Sequence, residues 1–206
     1  TLTHLCYNNS MFRVIGLQNS EEKYQDTPHN IGGQILEKIW QNNPDVFSNF
    51  YFNKTKNSNI SEGIFKNKKI ELIFPQTFMN LSGNSLPKNI LKNDIQKIIV
   101  LHDDIDLPFG KIKIVFGRGD GGHNGLKSII KKINSKEFIR IKIGVCPLNF
   151  FGKCKKPSGE NLNRYLVNKK LPTKYIKQYS EIAKKIEKII FEIMKNDYKK
   201  TMNKFN

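Results

Sequence analysis

The chain has 206 residues, enough for one domain with a sizeable core. Its 35 Lys and Arg against 18 Asp and Glu give a net charge of +17, which suits a polyanionic partner such as nucleic acid, although Lys-, Asn- and Ile-rich sequences also arise from genome base composition. The three cysteines form no CxxC pair, which excludes a disulfide framework or cysteine zinc site, and no apolar run nears the roughly 20 residues needed to span a bilayer.

The expectation is therefore a soluble, cytoplasmic chain with no membrane partner. Residues 1–10 lack a usable period and are read as an N-terminal extension preceding Met11, with a single domain over 11–206. FRVIGL is a compact strand, followed by the polar loop QNSEEKYQDTPHN. Ile31, Ile35, Ile39 and Trp40 fall at helical spacing, and Asn42, Asn43 and Pro44 end that helix. Residues 47–69 read as a hairpin around KTKNSN, and KIELIFP as a strand closed by Pro75. Ser82 or Asn84 is expected to cap a short helix running to Leu91, with Pro87 near its first turn.

KIIVLHD is the central strand, DIDLPFG a turn, and KIKIVF a half-exposed strand. GRGDGGHNG is a flexible glycine-rich loop before the basic amphipathic helix LKSIIKKI. In FIRIKIGV, Arg140 and Lys142 share one face and Ile139, Ile141 and Ile143 the other. Residues 147–160 read as a mobile loop, a candidate lid. One long helix is expected from Pro172 to about Lys199. Strands alternating with helices, some of them consecutive and alternating in polarity, predict a single three-layer α/β/α sandwich with a twisted mixed sheet.

The stretch from Val100 to Leu126 concentrates His102, Asp103, Asp104, Asp106, His123 and Asn124 at the end of a buried strand, where open α/β sheets carry their sites. Other polar groups sit in loops: Asn19 with Tyr24 and His29, and Met79 with Asn80. Each has a plainer reading. A loop His is commonly a surface residue, Asn80 a turn residue or helix cap, Asp103 or Asp104 a turn acid, and Asn124 the cap of the helix it precedes. The four His show no HxH or HExxH spacing, so a metal site requires convergence over long range. The glycine loop lacks the GK[ST] ending of a phosphate loop, and no GxSxG elbow is present. What remains, a His, an Asp and several Asn, suits hydrolysis by an activated water.

GLQNSEEKYQDTPHNIG, PQTFMNLSG, LHDDIDLPFG and GDGGHNGLKSI, in this order, closely resemble the motifs of the bacterial peptidyl-tRNA hydrolase family, over about Met11 to Met194. The resemblance implies hydrolysis of the ester joining a peptide to the 3′ ribose of tRNA by a monomeric enzyme without metal or cofactor. It implies that His29 is the base activating water and Asp103 its partner. Asn19, Asn80 and Asn124 match amides that position substrate and water or stabilise the oxyanion. Tyr24 and Met79 match residues lining the tRNA-terminus and peptide sites, while His102 and His123 orient loops or line the cleft. Lys113, Arg140, Lys142 and lysines of the last helix are the candidate phosphate contacts.

The chain departs from the family pattern at GLQNSEE, where the usual form is close to GLGNPG. Asp104 stands in place of a Glu, Lys142 in place of an Arg that clamps the terminal phosphate, and Val115 in place of another clamp lysine. Lysine keeps the charge but loses the bidentate fork. The rivals are a non-catalytic RNA-binding relative on the same scaffold and a hydrolase of small esters. The full set of His29, Asp103, Asn19, Asn80 and Asn124 speaks against the former.

Overall fold

The structure is a computed structural model that describes residues 11–206; the expected extension over residues 1–10 lies outside the described residues. Seven strands form one mixed sheet: β1 (Met11–Gly16), β2 (Tyr51–Asn53), β3 (Ser58–Phe65), β4 (Lys68–Pro75), β5 (Ile98–Pro108), β6 (Ile112–Phe116) and β7 (Ile139–Cys146). Their order is β2-β3-β4-β1-β5-β7-β6. β4, β1, β5 and β7 run parallel, and β2, β3 and β6 pair antiparallel at the two sides.

The central strands are apolar on both faces because both are covered. Val14, Ile99, Leu101, Ile141 and Ile143 face a core shared with α1 (Ile31–Gln41) and, later in the chain, with Ile182, Ile186, Ile189, Ile190 and Ile193. Ile15, Leu17, Ile98 and Val100 face a smaller core with Leu126 and Ile129. Each fully buried Ile or Leu contributes about 1.5–3 kcal/mol relative to exposure, so these stripes fix which face each helix presents. The result is the three-layer α/β/α sandwich with a mixed sheet that the alternation predicts.

α1 ends where expected. Asn43 Nδ2 donates to the Ile39 carbonyl at 2.8 Å, and Pro44 cannot extend the helix. Its start is pressed onto the sheet. A Cβ at Gly32 would stand 2.3 Å from the Leu101 carbonyl oxygen, so only glycine permits this approach.

Four local expectations are corrected. The short helix to Leu91 is instead a 3₁₀ helix over Met79–Ser85, followed by a separate α2 (Lys92–Ile95). The Ser82 and Ser85 hydroxyls donate to the carbonyls of Met79 and Ser82 rather than capping N–H groups, and Pro87 has no N–H to carry a helix onward. DIDLP is strand rather than turn: β5 continues to Pro108, which pairs with Cys146 after a register shift beyond Asp104. The irregularity accommodates the missing proline donor.

The long final helix is broken. After α3 (Asn124–Ile133) come α4 (Glu160–Asn163), a π-helical turn (Arg164–Asn168), α5 (Thr173–Ile176), α6 (Tyr179–Lys195) and α7 (Tyr198–Phe205). Asp197 restarts the chain as an N-cap, its carboxylate accepting from Lys199 N at 3.0 Å. Residues 147–160 also differ from a plain loop: they carry a short antiparallel bridge between Leu148 and Cys154.

Gly32→Ala is expected to destabilise the protein by at least about 1–3 kcal/mol, the cost of overpacking, because the obstacle is backbone and cannot rotate away. Urea unfolding of the two proteins checks this through the midpoint shift at constant m-value.

Candidate functional site

The site forms where β5, the Pro28–Asn30 3₁₀ turn and the start of α3 converge. Asp103 is buried on β5. Its Oδ1 lies 2.8 Å from His29 Nδ1 and 3.0 Å from His123 Nε2, so one carboxylate oxygen serves two imidazoles. The two rings sit with centroids 4.7 Å apart.

The hydrogen bonds determine the tautomers. His123 is the N-cap of α3, its Nδ1 accepting from Gly125 N at 3.1 Å and from Leu126 N at 3.4 Å. An accepting Nδ1 carries no proton, so neutral His123 holds its proton on Nε2 and donates it to Asp103. His29 likewise donates its Nδ1–H to the carboxylate, which leaves the Nε2 lone pair available. Burial of the His29 ring opposes its positive charge, but the Asp103 carboxylate outweighs that and raises its pKa above the ordinary value. Burial would also push the Asp103 carboxyl up, yet the two imidazoles hold it well below the usual carboxylate range.

Asn19 is fixed by a reciprocal pair with Asn30, whose side chain accepts from Asn19 N at 2.8 Å and donates to Asn19 O at 2.9 Å. Its own Oδ1 accepts from Met79 N at 2.8 Å. The Nδ2 group of Asn19 therefore has no hydrogen-bond partner among the described residues, and remains a donor. The position of Asn19 in GLQNSEE is thus fixed by Asn30, a role the sequence reading did not assign to it.

A cleft of about 720 Å³ opens in front of the His29–Asp103–His123 cluster, lined by these three and by Asn124, Lys113 and Lys142 among others, whereas Asn19, Met79 and Asn80 lie outside its lining. Asn124 is exposed at the first turn of α3, and the cap it was expected to supply comes from His123 instead. Met79 is buried and the adjacent Asn80 exposed on the 3₁₀ helix that packs on α3. Tyr24 lies half-buried in a 3₁₀ turn (Glu22–Tyr24) outside the lining of this cleft. The opposite wall is Leu162, Leu166 and Val167, on α4 and the π-helical turn. Tyr165 anchors that wall by donating to the Val145 carbonyl at 2.8 Å.

The basic groups divide. Lys113 and Lys142 stand directly opposite each other on β6 and β7, an arrangement of like charges that favours an anion between them. Lys142 is partly neutralised by Asp104, 2.5 Å from Nζ to Oδ2. Arg140, expected among the phosphate contacts, is 1% exposed and donates to the carbonyls of Arg118 and Gly119. It tethers the glycine loop, so although both arginines line the cleft, the exposed Arg118 is the one whose guanidinium makes no hydrogen bond among the described residues. No sequence pattern distinguished Arg140 from Lys142, two residues away on the same face.

His29, Asp103 and His123 are close enough to share a metal ion. The donor chemistry fits poorly: His123 would have to give up its Nε2 proton, and moving it to Nδ1 would break the cap of α3. No helix among the described residues is long and apolar enough to cross a membrane.

The family model described as peptidyl-tRNA hydrolase matches residues 13–206. A peptidyl-tRNA hydrolase of Thermodesulfovibrio yellowstonii is 35% identical over 201 residues, covering 95% of this chain and 99% of its own. One of Clostridium perfringens is 37% identical over 204 residues, covering 95% and 97%. The structure of peptidyl-tRNA hydrolase from Acinetobacter baumannii superposes with a TM-score of 0.78 at 23% identity, covering 95% of this chain and 94% of that chain. At that identity the likeness speaks for the fold alone.

His102 adds a pH-dependent term to stability. Its Nδ1–H donates to the Asp103 carbonyl at 2.7 Å and its Nε2 is buried without a partner. Burial, then the neighbouring His123, pushes its pKa down to about 3. The unfolded chain takes up a proton near pH 6.5 that the native state refuses, so stability falls by about 1.4 kcal/mol per pH unit below that point. His29 acts oppositely: its folded pKa is raised, so its contribution is fully present below the unfolded value and constant there. Urea unfolding between about pH 6 and pH 4.5 should show this slope, and His102→Gln should flatten it by about one proton.

Proposed function

Because the chain belongs to the peptidyl-tRNA hydrolase family, we propose that its cleft hydrolyses the ester between a peptide and the 3′ ribose of tRNA, releasing free peptide and free tRNA. The observation that carries the mechanism is the shared carboxylate: Asp103 holds His29 through Nδ1 and leaves Nε2 facing its task as a base.

Water is the nucleophile. His29 Nε2 takes one of its protons as the oxygen attacks the ester carbonyl carbon, and Asp103 stabilises the imidazolium that forms. The carbonyl oxygen becomes an oxyanion, for which Asn19 Nδ2, Asn80 and Asn124 are the available amide donors. Collapse expels the ribose oxygen, which recovers the proton from His29. The catalytic set is thus His29, Asp103 and Asn19, with His123 as a positioning residue. Met79 and Tyr24 are assigned to substrate contact. No step calls for a metal or cofactor, and one copy of the chain supplies every residue named.

Lys113 and Lys142 are proposed to hold a substrate phosphate, with Arg118 supplying the positive charge that Val115 does not. Contacts of this kind bind RNA without reading its sequence. Asp104 lowers the share expected of Lys142, which leaves Lys113 as the stronger contact.

His29→Ala should lower kcat on peptidyl-tRNA by about 10²–10⁴-fold with the fold intact; wild-type turnover in that variant would reject the base assignment. In wild type, activity should fall as pH drops through the raised pKa of His29, and Asp103→Asn should move that acid limb to lower pH by removing the carboxylate. A second measurement concerns phosphate. The Michaelis constant should rise with salt, and Lys113→Ala should reduce the log–log salt slope by about one while weakening all tRNAs alike. A salt-independent Michaelis constant would count against an RNA substrate.

A further inference from the structure

Phe150 and Phe151 are 97% and 81% exposed, the two most exposed large hydrophobic side chains of the described residues. Their rings meet edge to face with centroids 5.6 Å apart. They sit on a built turn. Asn149 Oδ1 accepts from Phe151 N at 3.0 Å and Lys153 N at 2.9 Å, and Gly152 adopts φ +73, which the turn requires. Below the tip, Leu148 bridges Cys154, and Lys155 N donates to the Pro147 carbonyl at 2.8 Å. The base is tied to the core by Leu148 N donating to Tyr175, whose ring stacks on Phe109. A fixed turn that presents two aromatic rings to water has a surface to offer.

Both ends of this hairpin reach the catalytic cleft. Its incoming strand is β7, which carries Lys142. Its outgoing strand places Lys156 against Asp106, a lining residue, and then runs to Gly159 and Leu162 in the cleft wall. Lys153 and Lys155 are exposed beside the tip and form no ion pair among the described residues. Adjacent aromatic faces with unpaired lysines are the chemistry that holds single-stranded nucleic acid, by stacking on bases and attracting phosphates. A protein partner or a membrane surface would use the rings but would not call for a position continuous with the phosphate-facing cleft.

We infer that the Phe150–Phe151 tip is a stacking platform for the unpaired nucleotides at the 3′ end of the RNA substrate, steering the ester toward His29. This rests on the peptidyl-tRNA reading given above, and it adds to that reading a contact made by bases rather than phosphate.

The test measures the affinity of the full chain for uncharged tRNA, intact and trimmed of its unpaired 3′ nucleotides. Wild type should bind the intact form more tightly. The Phe150→Ala, Phe151→Ala double variant should bind intact tRNA about tenfold or more weakly and trimmed tRNA as wild type does. Phe150→Leu, Phe151→Leu should resemble the alanine variant if stacking is the contact. Unchanged affinity in the alanine variant, equal weakening for both RNAs, full retention by leucine, or loss only of binding to anionic lipid vesicles would each overturn the proposal. Uncharged tRNA has no ester, so a failure to hydrolyse peptidyl-tRNA leaves these affinities untouched and the two failures are told apart.

Discussion

One oxygen atom, Asp103 Oδ1, receives hydrogen bonds from two imidazoles that belong to different segments of the chain. A buried carboxylate is costly to desolvate and stable only when fully paired. Each charge-assisted bond returns about 1.5–3 kcal/mol, so neither His alone satisfies the site as well as both. His29 arrives from the loop after β1, and His123 from the head of α3. Ionisation of Asp103 therefore depends on the docking of both cores, one on each side of the sheet. The helix cap reinforces this arrangement: by accepting from the first turn of α3 at Nδ1, neutral His123 is held in the tautomer that donates Nε2–H to Asp103.

The surrounding polar groups follow the same logic of commitment. Arg140 spends its guanidinium on two backbone carbonyls of the glycine loop, and Asn30 spends its amide on Asn19. Asn30 lies outside the cleft lining, and Arg140 lines it with both Nη groups already bonded. Both hold a neighbour in place, and they leave Asn19 Nδ2, His29 Nε2 and Lys113 without a hydrogen-bond partner among the described residues. His102, a buried imidazole with an unmatched Nε2, departs from that pattern, as does Arg140 at its Nε. Such a group costs stability and persists here beside Asp103 and His123.

Much of this was legible in the chain. Two-residue alternation in FIRIKIGV and the apolar run KIIVL placed β7 and the start of β5, because faces buried against helices must be apolar. The end of a buried strand singled out Asp103, but only resemblance to a family paired it with His29; spacing alone could not join the two, 74 residues apart. The break between α6 and α7 was illegible because the apolar stripe runs through it, and only Asp197 at its cap marks the restart. His123 hid behind Asn124, the better cap by propensity. Arg140 and Lys142 look alike in a pattern, since which of them is swallowed by a loop is decided by tertiary packing.

β6 is an outermost strand, with one row of backbone groups turned away from the sheet. Asn206, following α7, uses its side-chain amide as a substitute peptide unit, accepting from Ile114 N at 2.8 Å and donating to Ile114 O at 2.9 Å. Ile114 lies next to Lys113. An open rim at that point would invite a strand from another molecule, and the lysine that faces the cleft would be the first side chain covered. By closing a single rung, Asn206 occupies backbone groups that an edge-to-edge contact would need, beside a lysine that lines the cleft.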